Sequence, residues 1–171
     1  MTFRRHVVPA AGLLTLLGCL GLPPVPTSVK LFDADNKLVG FVDLLEIKGG
    51  VRVRVHTLGL PQGAHGINLH ASASCDPPAF ATSGPILSVT GSKDTVMAGD
   101  LPDISTSNPA EWSDTTFDWA GIRLDKGERG VFHNGGTSIV VTAQPDGAHA
   151  SAEGGSSRIA CGVAKERPEI R

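Results

Sequence analysis

The chain has 171 residues, 40 % of them hydrophobic and only 19 % charged, with 21 glycines and 12 prolines. A formal net charge of −2 supplies no basic field for nucleic acid, and so few charges among so many turn formers exclude a coiled coil or helical bundle. The length fits one β-rich domain around one core.

In chain order, residues 1–18 read as an export leader. Arg4 and Arg5 give a positive start, and the apolar stretch from Val7 to Leu17 is too short to span a bilayer comfortably. It ends in Leu16-Leu17-Gly18-Cys19, which resembles a bacterial lipoprotein signal, where a small residue precedes a cysteine that becomes acylated. Leu17 departs from that pattern, and an ordinary export signal that happens to contain Cys19 is the alternative. Both readings place the protein outside the cytoplasm, either in the periplasm or cell envelope on a lipid anchor at Cys19, or secreted. Residues 19–27, with Pro23-Pro24-Val25-Pro26, form a short extended tether. A lipidated Cys19 would hold Thr27 within about 27 Å of the membrane.

With Cys19 assigned to export, Cys75 and Cys161 remain. In an oxidising compartment they most simply form one disulfide, the alternative being two free thiols. Closing so long a loop stabilises the fold by about 4 kcal/mol in the chain-entropy description.

Residues 28–164 read as the domain. A strand at Val29–Leu31 leads to a turn at Ala34-Asp35-Asn36, and Leu38–Ile47 returns. Lys48-Gly49-Gly50 makes a hairpin turn. Val51, Val53 and Val55 then alternate with Arg52, Arg54 and His56, the period of a half-buried strand, so His56 is expected in solvent and not as a ligand. Further strands are expected at Thr115–Trp119, Ile122–Leu124, Ser138–Thr142 and Arg158–Val163, separated by long loops at Ser72–Asp94 and Gln144–Ser157. No amphipathic helix is evident. The pattern predicts an all-β Greek-key sandwich or flattened barrel of about eight antiparallel strands. Residues 165–171 are a charged tail containing Pro168.

Several segments, in order, resemble copper/zinc superoxide dismutase of the bacterial extracytoplasmic type. They are Gly59-Leu60-Pro61-Gln62-Gly63-Ala64-His65-Gly66-Ile67-Asn68-Leu69-His70, Ser74-Cys75-Asp76-Pro77 and Ser83-Gly84-Pro85. Gly99-Asp100-Leu101-Pro102, Ser138-Ile139-Val140-Val141-Thr142 and Ser157-Arg158-Ile159-Ala160-Cys161-Gly162-Val163 follow. The resemblance implies the superoxide-dismutase β-sandwich. It also implies an activity in which copper, held by four histidines, alternates between oxidation states, beside a zinc held by histidines and one aspartate.

Carried over residue by residue, those ligands are mostly replaced. The copper positions hold Asn68, His70, Ile86 and Thr142, so the resemblance leaves only His70 as an imidazole. Of the zinc set only Asp100 remains; Met97 stands three residues before it, and residues 86–98 hold no histidine. Asp146 matches an aspartate that links a copper histidine to a zinc histidine; with both partners replaced it is expected to be a turn residue. His65 matches a structural imidazole. Arg158 matches the arginine that guides superoxide, a role it would keep only in an active enzyme; in the family it also packs against the disulfide loop. A rebuilt site from His70, His149 and Asp100 is conceivable, whereas His133 sits in a turn. Replacing ligands by Ile86, Thr142 and Met97 removes polar groups whose burial metal would offset, so the domain is expected to fold without zinc, pinned by Cys75–Cys161.

The expected function is therefore that of an exported, superoxide-dismutase-like domain without intact copper or zinc sites. It would be inactive or strongly impaired and act in a structural or interaction role. The alternatives are a diverged dismutase with a rebuilt copper site, or a weak metal-binding protein of the envelope working through His70. No cofactor is expected; copper is the less remote of the two ions and zinc the more remote. No nucleic acid partner is expected, membrane association would run through Cys19, and the sequence names no protein partner.

Overall fold

The computed structural model describes residues 26–90, 95–146 and 157–166. The leader, Cys19, most of the tether, His149 and the end of the tail lie outside the described residues. Among those described, the strands are β1 (Thr27–Asp33), β2 (Leu38–Ile47), β3 (Gly50–Thr57), β4 (Gly63–His65), β5 (Ile67–His70), β6 (Val89–Thr90), β7 (Thr95–Val96), β8 (Ile104–Thr106), β9 (Ser113–Trp119), β10 (Thr137–Thr142) and β11 (Arg158–Ala164).

Seven strands form one antiparallel sheet in the order β5-β10-β11-β1-β2-β3-β9, and β4 with β8 and β6 with β7 make two small ladders. Curling this sheet brings its two halves together around a single core. Val29 and Leu31 of β1, Val42 and Leu44 of β2, and Val51, Val53 and Val55 of β3 point inward from one half. Ile67 and Leu69 of β5 meet them with Ile139 and Val141 of β10 from the other. Each is removed almost wholly from water, the main favourable term in folding.

Local chemistry sets the connections. After β1, the Asp33 carboxylate accepts the backbone N–H groups of Asp35 and Lys37 at 3.0 and 2.9 Å, and Asn36 takes the left-handed φ of 62° that this turn requires. The hairpin at Lys48-Gly49 passes through a φ of 94° at Gly49, open to glycine at little cost.

The structure departs from the sequence reading in several places. Ile122–Leu124 is not a strand: it makes only an isolated bridge from Arg123 to Gly130, inside a loop held by Arg123 N–H to the Arg129 carbonyl at 2.9 Å. Its apolar character reflects Ile122, wholly buried under the sheet as a plug. Conversely, β4, β5, β6, β7 and β8 fall outside the expected strands, β6 inside the expected Ser72–Asp94 loop. All four residues of β5 are buried, so the alternation that marks a strand is hidden. Thr27, assigned above to the tether, already pairs with Leu44 in β1. Only two single-turn 3-10 segments, Ala81–Ser83 and His133–Gly135, supply helix among the described residues.

Candidate functional site

Because β5, β10 and β11 send Ile67, Leu69, Ile139, Val141 and Ala160 inward, the alternate side chains form an outer face. It carries Asn68 and His70, then Ser138, Val140 and Thr142, then Arg158 and Cys161. The chain from Ala71 to Pro85 crosses this face and is clamped there by the Cys75–Cys161 disulfide, with Cα atoms 5.7 Å apart and a sequence separation of 86. Phe80 is the anchor of the clamp, packed with Val140 and Cys161. It holds a φ of 52°, a left-handed conformation that costs a non-glycine residue about 1 kcal/mol or more and persists only where its surroundings enforce it.

Arg158 and Ser83 do the enforcing. The Phe80 carbonyl accepts from Arg158 Nη1 at 2.7 Å and from the Ser83 hydroxyl at 2.8 Å. Arg158 also donates to Ser83 Oγ at 2.8 Å and, through Nη2, to the Gly84 carbonyl at 3.1 Å. His70 donates its Nδ1–H to that same carbonyl at 2.7 Å, which leaves Nε2 as its acceptor nitrogen. Burial pushes the His70 pKa down to about 4; the Gly84 bond opposes this and the Arg158 charge adds to it. The ring is neutral at ordinary pH.

The backbone brings these positions together, pairing His70 with Ile86 and Asn68 with Asp100 in isolated bridges. Their side chains do not converge. Asn68 donates Nδ2–H to Asp146 Oδ2 at 2.9 Å, while its buried Oδ1 and the buried hydroxyl of Ser138 have no hydrogen-bond partner. Asp146 is therefore more than a loop or turn residue: it holds the Asn68 side chain. Its own N–H donates to Asp103 Oδ1 at 3.0 Å. Its pKa is raised first by desolvation, with Asn68 opposing and the charges of Asp100 and Asp103 adding. Thr142 spends its hydroxyl on the Gln144 carbonyl at 2.7 Å. Gly66 is required beside it, since a Cβ there would sit 2.4 Å from Asp146 Oδ1 and 2.6 Å from Thr142 Oγ1.

Met97 is 43 % exposed, so its presence relieves no buried polarity, and that part of the sequence expectation is wrong. Asp100 is exposed as well. His65 is the structural imidazole expected, its ring nitrogens against the carbonyls of Pro61 at 2.8 Å and Thr142 at 3.1 Å. His133 faces the Gly127 carbonyl at 3.1 Å and the Asn134 amide at 2.9 Å. His56 is not simply solvated: its Nδ1 meets Asp114 and its Nε2 lies 3.9 Å from Asp43. Among the described residues, no three His, Cys, Asp or Glu side chains are arranged to hold one metal ion. The sequence reading missed Phe80 and Ser83 as the elements that fix Arg158 and His70; the motif Ser83-Gly84-Pro85 was visible, but not that its carbonyl would bind both.

A curled antiparallel sheet with a disulfide-clamped loop over the buried His70 imidazole defines a superoxide-dismutase-like β-sandwich. The family described as copper/zinc superoxide dismutase (SODC) matches residues 38–164, and the chain belongs to that family. It is 28 % identical to superoxide dismutase [Cu-Zn] 2 of Aquifex aeolicus, over 90 % of this chain and 94 % of that protein. It is 30 % identical to superoxide dismutase [Cu-Zn] of Brucella abortus, over 80 % of this chain and 87 % of the relative. Among solved structures, a SOD-like protein from Bacillus subtilis shares the fold with a TM-score of 0.68 at 22 % identity, covering 80 % of this chain and 97 % of that one.

Proposed function

We propose that this protein is an exported superoxide-dismutase-like domain, anchored through Cys19, that does not dismute superoxide and acts through its surface or as a scaffold. The observation that carries this reading is the chemistry of the cleft. Dismutation in the family needs copper to change oxidation state within a set of imidazoles. The four corresponding positions here offer His70 alone, with Asn68 engaged by Asp146, Thr142 by the Gln144 carbonyl, and Ile86 presenting only hydrocarbon. Those side chains do not fit copper in its redox role, and among the described residues no imidazole joins the exposed Asp100 in a set that fits zinc. In this reading Arg158 is a positioning residue for the 71–85 loop, since three of its hydrogen bonds run to that loop.

The test loads the exported chain with copper and zinc and measures bound metal and dismutation together. The wild type is expected to hold substoichiometric metal and to dismute superoxide no faster than the free ions present. Asn68→His, Ile86→His and Thr142→His combined, which with His70 restore four imidazoles, should raise copper retention to stoichiometric. Wild-type copper with turnover would establish a diverged enzyme. Metal held without turnover, and lost in His70→Ala, would establish a metal-binding role.

A further inference from the structure

Among the described residues, no segment crosses the second outer face, on β1, β2, β3 and β9, and its register aligns side chains in rows. Lys30, Phe41, His56 and Asp114 form one row; Ser28, Asp43, Arg54 and Thr116 the next; Leu45, Arg52 and Asp118 a third. Asp118 is held by Arg52 in a two-point pair at 2.7 and 2.9 Å, and Asp114 and Asp43 flank His56. Lys30 and Arg54 have no carboxylate within ion-pair distance among the described residues. Arg52 and Arg54 line two adjoining depressions of about 370 and 110 Å³, the smaller also bounded by Pro26, Leu45 and Asp43. Pro26 is where the tether from Cys19 enters the domain. At the far end of the same face, Trp112 stacks on Phe41 with ring centroids 6.4 Å apart and is 55 % exposed.

We propose that this face lies on the phospholipid surface, with Arg52 and Arg54 donating to headgroup phosphates and Trp112 at the interface, so that the disulfide-clamped cleft faces away from the membrane. This rests on the lipid anchor at Cys19. Three features support it together. The tether ends at this face and keeps its Thr27 end within about 27 Å of the bilayer, so even weak contacts form at high effective concentration. An exposed indole on a face that also carries cationic side chains is the composition that favours the membrane interface. The opposite face is already occupied by the 71–85 loop, and the two outer faces of a curled sheet look in opposite directions.

The test uses the full chain as isolated from membranes, returned to vesicles of phosphatidylcholine with or without phosphatidylglycerol and containing brominated acyl chains as quenchers. Trp112 and Trp119 are the two tryptophans, and Trp119 is engaged with the Ala98 carbonyl. Quenching of Trp112 is expected, strengthened by phosphatidylglycerol and removed in Trp112→Phe. Arg54→Gln should lower the face-down population roughly five-fold, and added salt should do the same. Detergent-phase partition reports acylation separately. An acylated chain whose Trp112 escapes quenching, or whose quenching ignores Arg54→Gln, overturns the orientation and leaves the anchor standing. A chain without acyl group overturns the anchor and the orientation with it. An emission change that follows protein concentration and not lipid overturns the orientation by showing that a second copy covers the face.

Discussion

The two outer faces of the sheet use the same side-chain chemistry and obtain different things from it. Over β5, β10 and β11 the 71–85 loop excludes water, and Arg158 and His70 are bound to its carbonyls, their ring and guanidinium geometry dictated by backbone. Over β1, β2, β3 and β9 no described segment crosses the strands, and Arg52 answers Asp118 across a solvated rung with nearly half of each side chain exposed. Cover therefore decides what a polar group contributes. Buried and bonded, it costs much to remove; exposed and paired, it costs little.

Three measurements sharpen or break that contrast, beginning with the largest effect. Reducing Cys75–Cys161 releases the cover itself and should lower stability by about 4 kcal/mol, read as a shift in the denaturant midpoint. An unchanged midpoint under reductant would show that the loop is held without the disulfide. Next comes His70. Unfolded, it takes a proton near its ordinary value of 6.5, but folded only at about 4, so protons draw the equilibrium toward the unfolded chain. Stability should fall by about 3 kcal/mol as pH drops through that window, and His70→Gln should flatten the profile there. A wild-type profile already flat between those values would mean the ring is not desolvated. The smallest effects come from a pair of arginines. Arg158→Ala, which strips hydrogen bonds from Phe80, Ser83 and Gly84, should cost about 2 kcal/mol or more. Arg52→Ala should leave the melting temperature nearly unchanged, and equal losses from both would erase the distinction between the faces.

Much of this was legible residue by residue. The alternation of Val51, Val53 and Val55 with Arg52, Arg54 and His56 marked β3 and told its faces apart, because burial on one side only leaves a period of two. At β5 the same logic failed, since Asn68 and His70 point outward yet are covered. The ordered motifs set Asn68, Ile86 and Thr142 against the positions where the resemblance expects copper ligands, but what their side chains bond to was not legible there. Asn68 finds Asp146 across 78 positions, His56 finds Asp114 across 58, and Arg52 finds Asp118 across 66.

The amino-acid order alone determined the all-β class, the two cysteines available to each other and the ordered motifs of the family. These follow from composition, short-range period and motif order, which need no knowledge of distant neighbours. Tertiary structure decided which polar groups are desolvated, that Phe80 is held in a left-handed turn by Arg158 and Ser83, and that, among the described residues, a loop covers one sheet face and not the other. Desolvation and long-range hydrogen bonding depend on which segment lies above a strand, and a strand's own residues record only that something does.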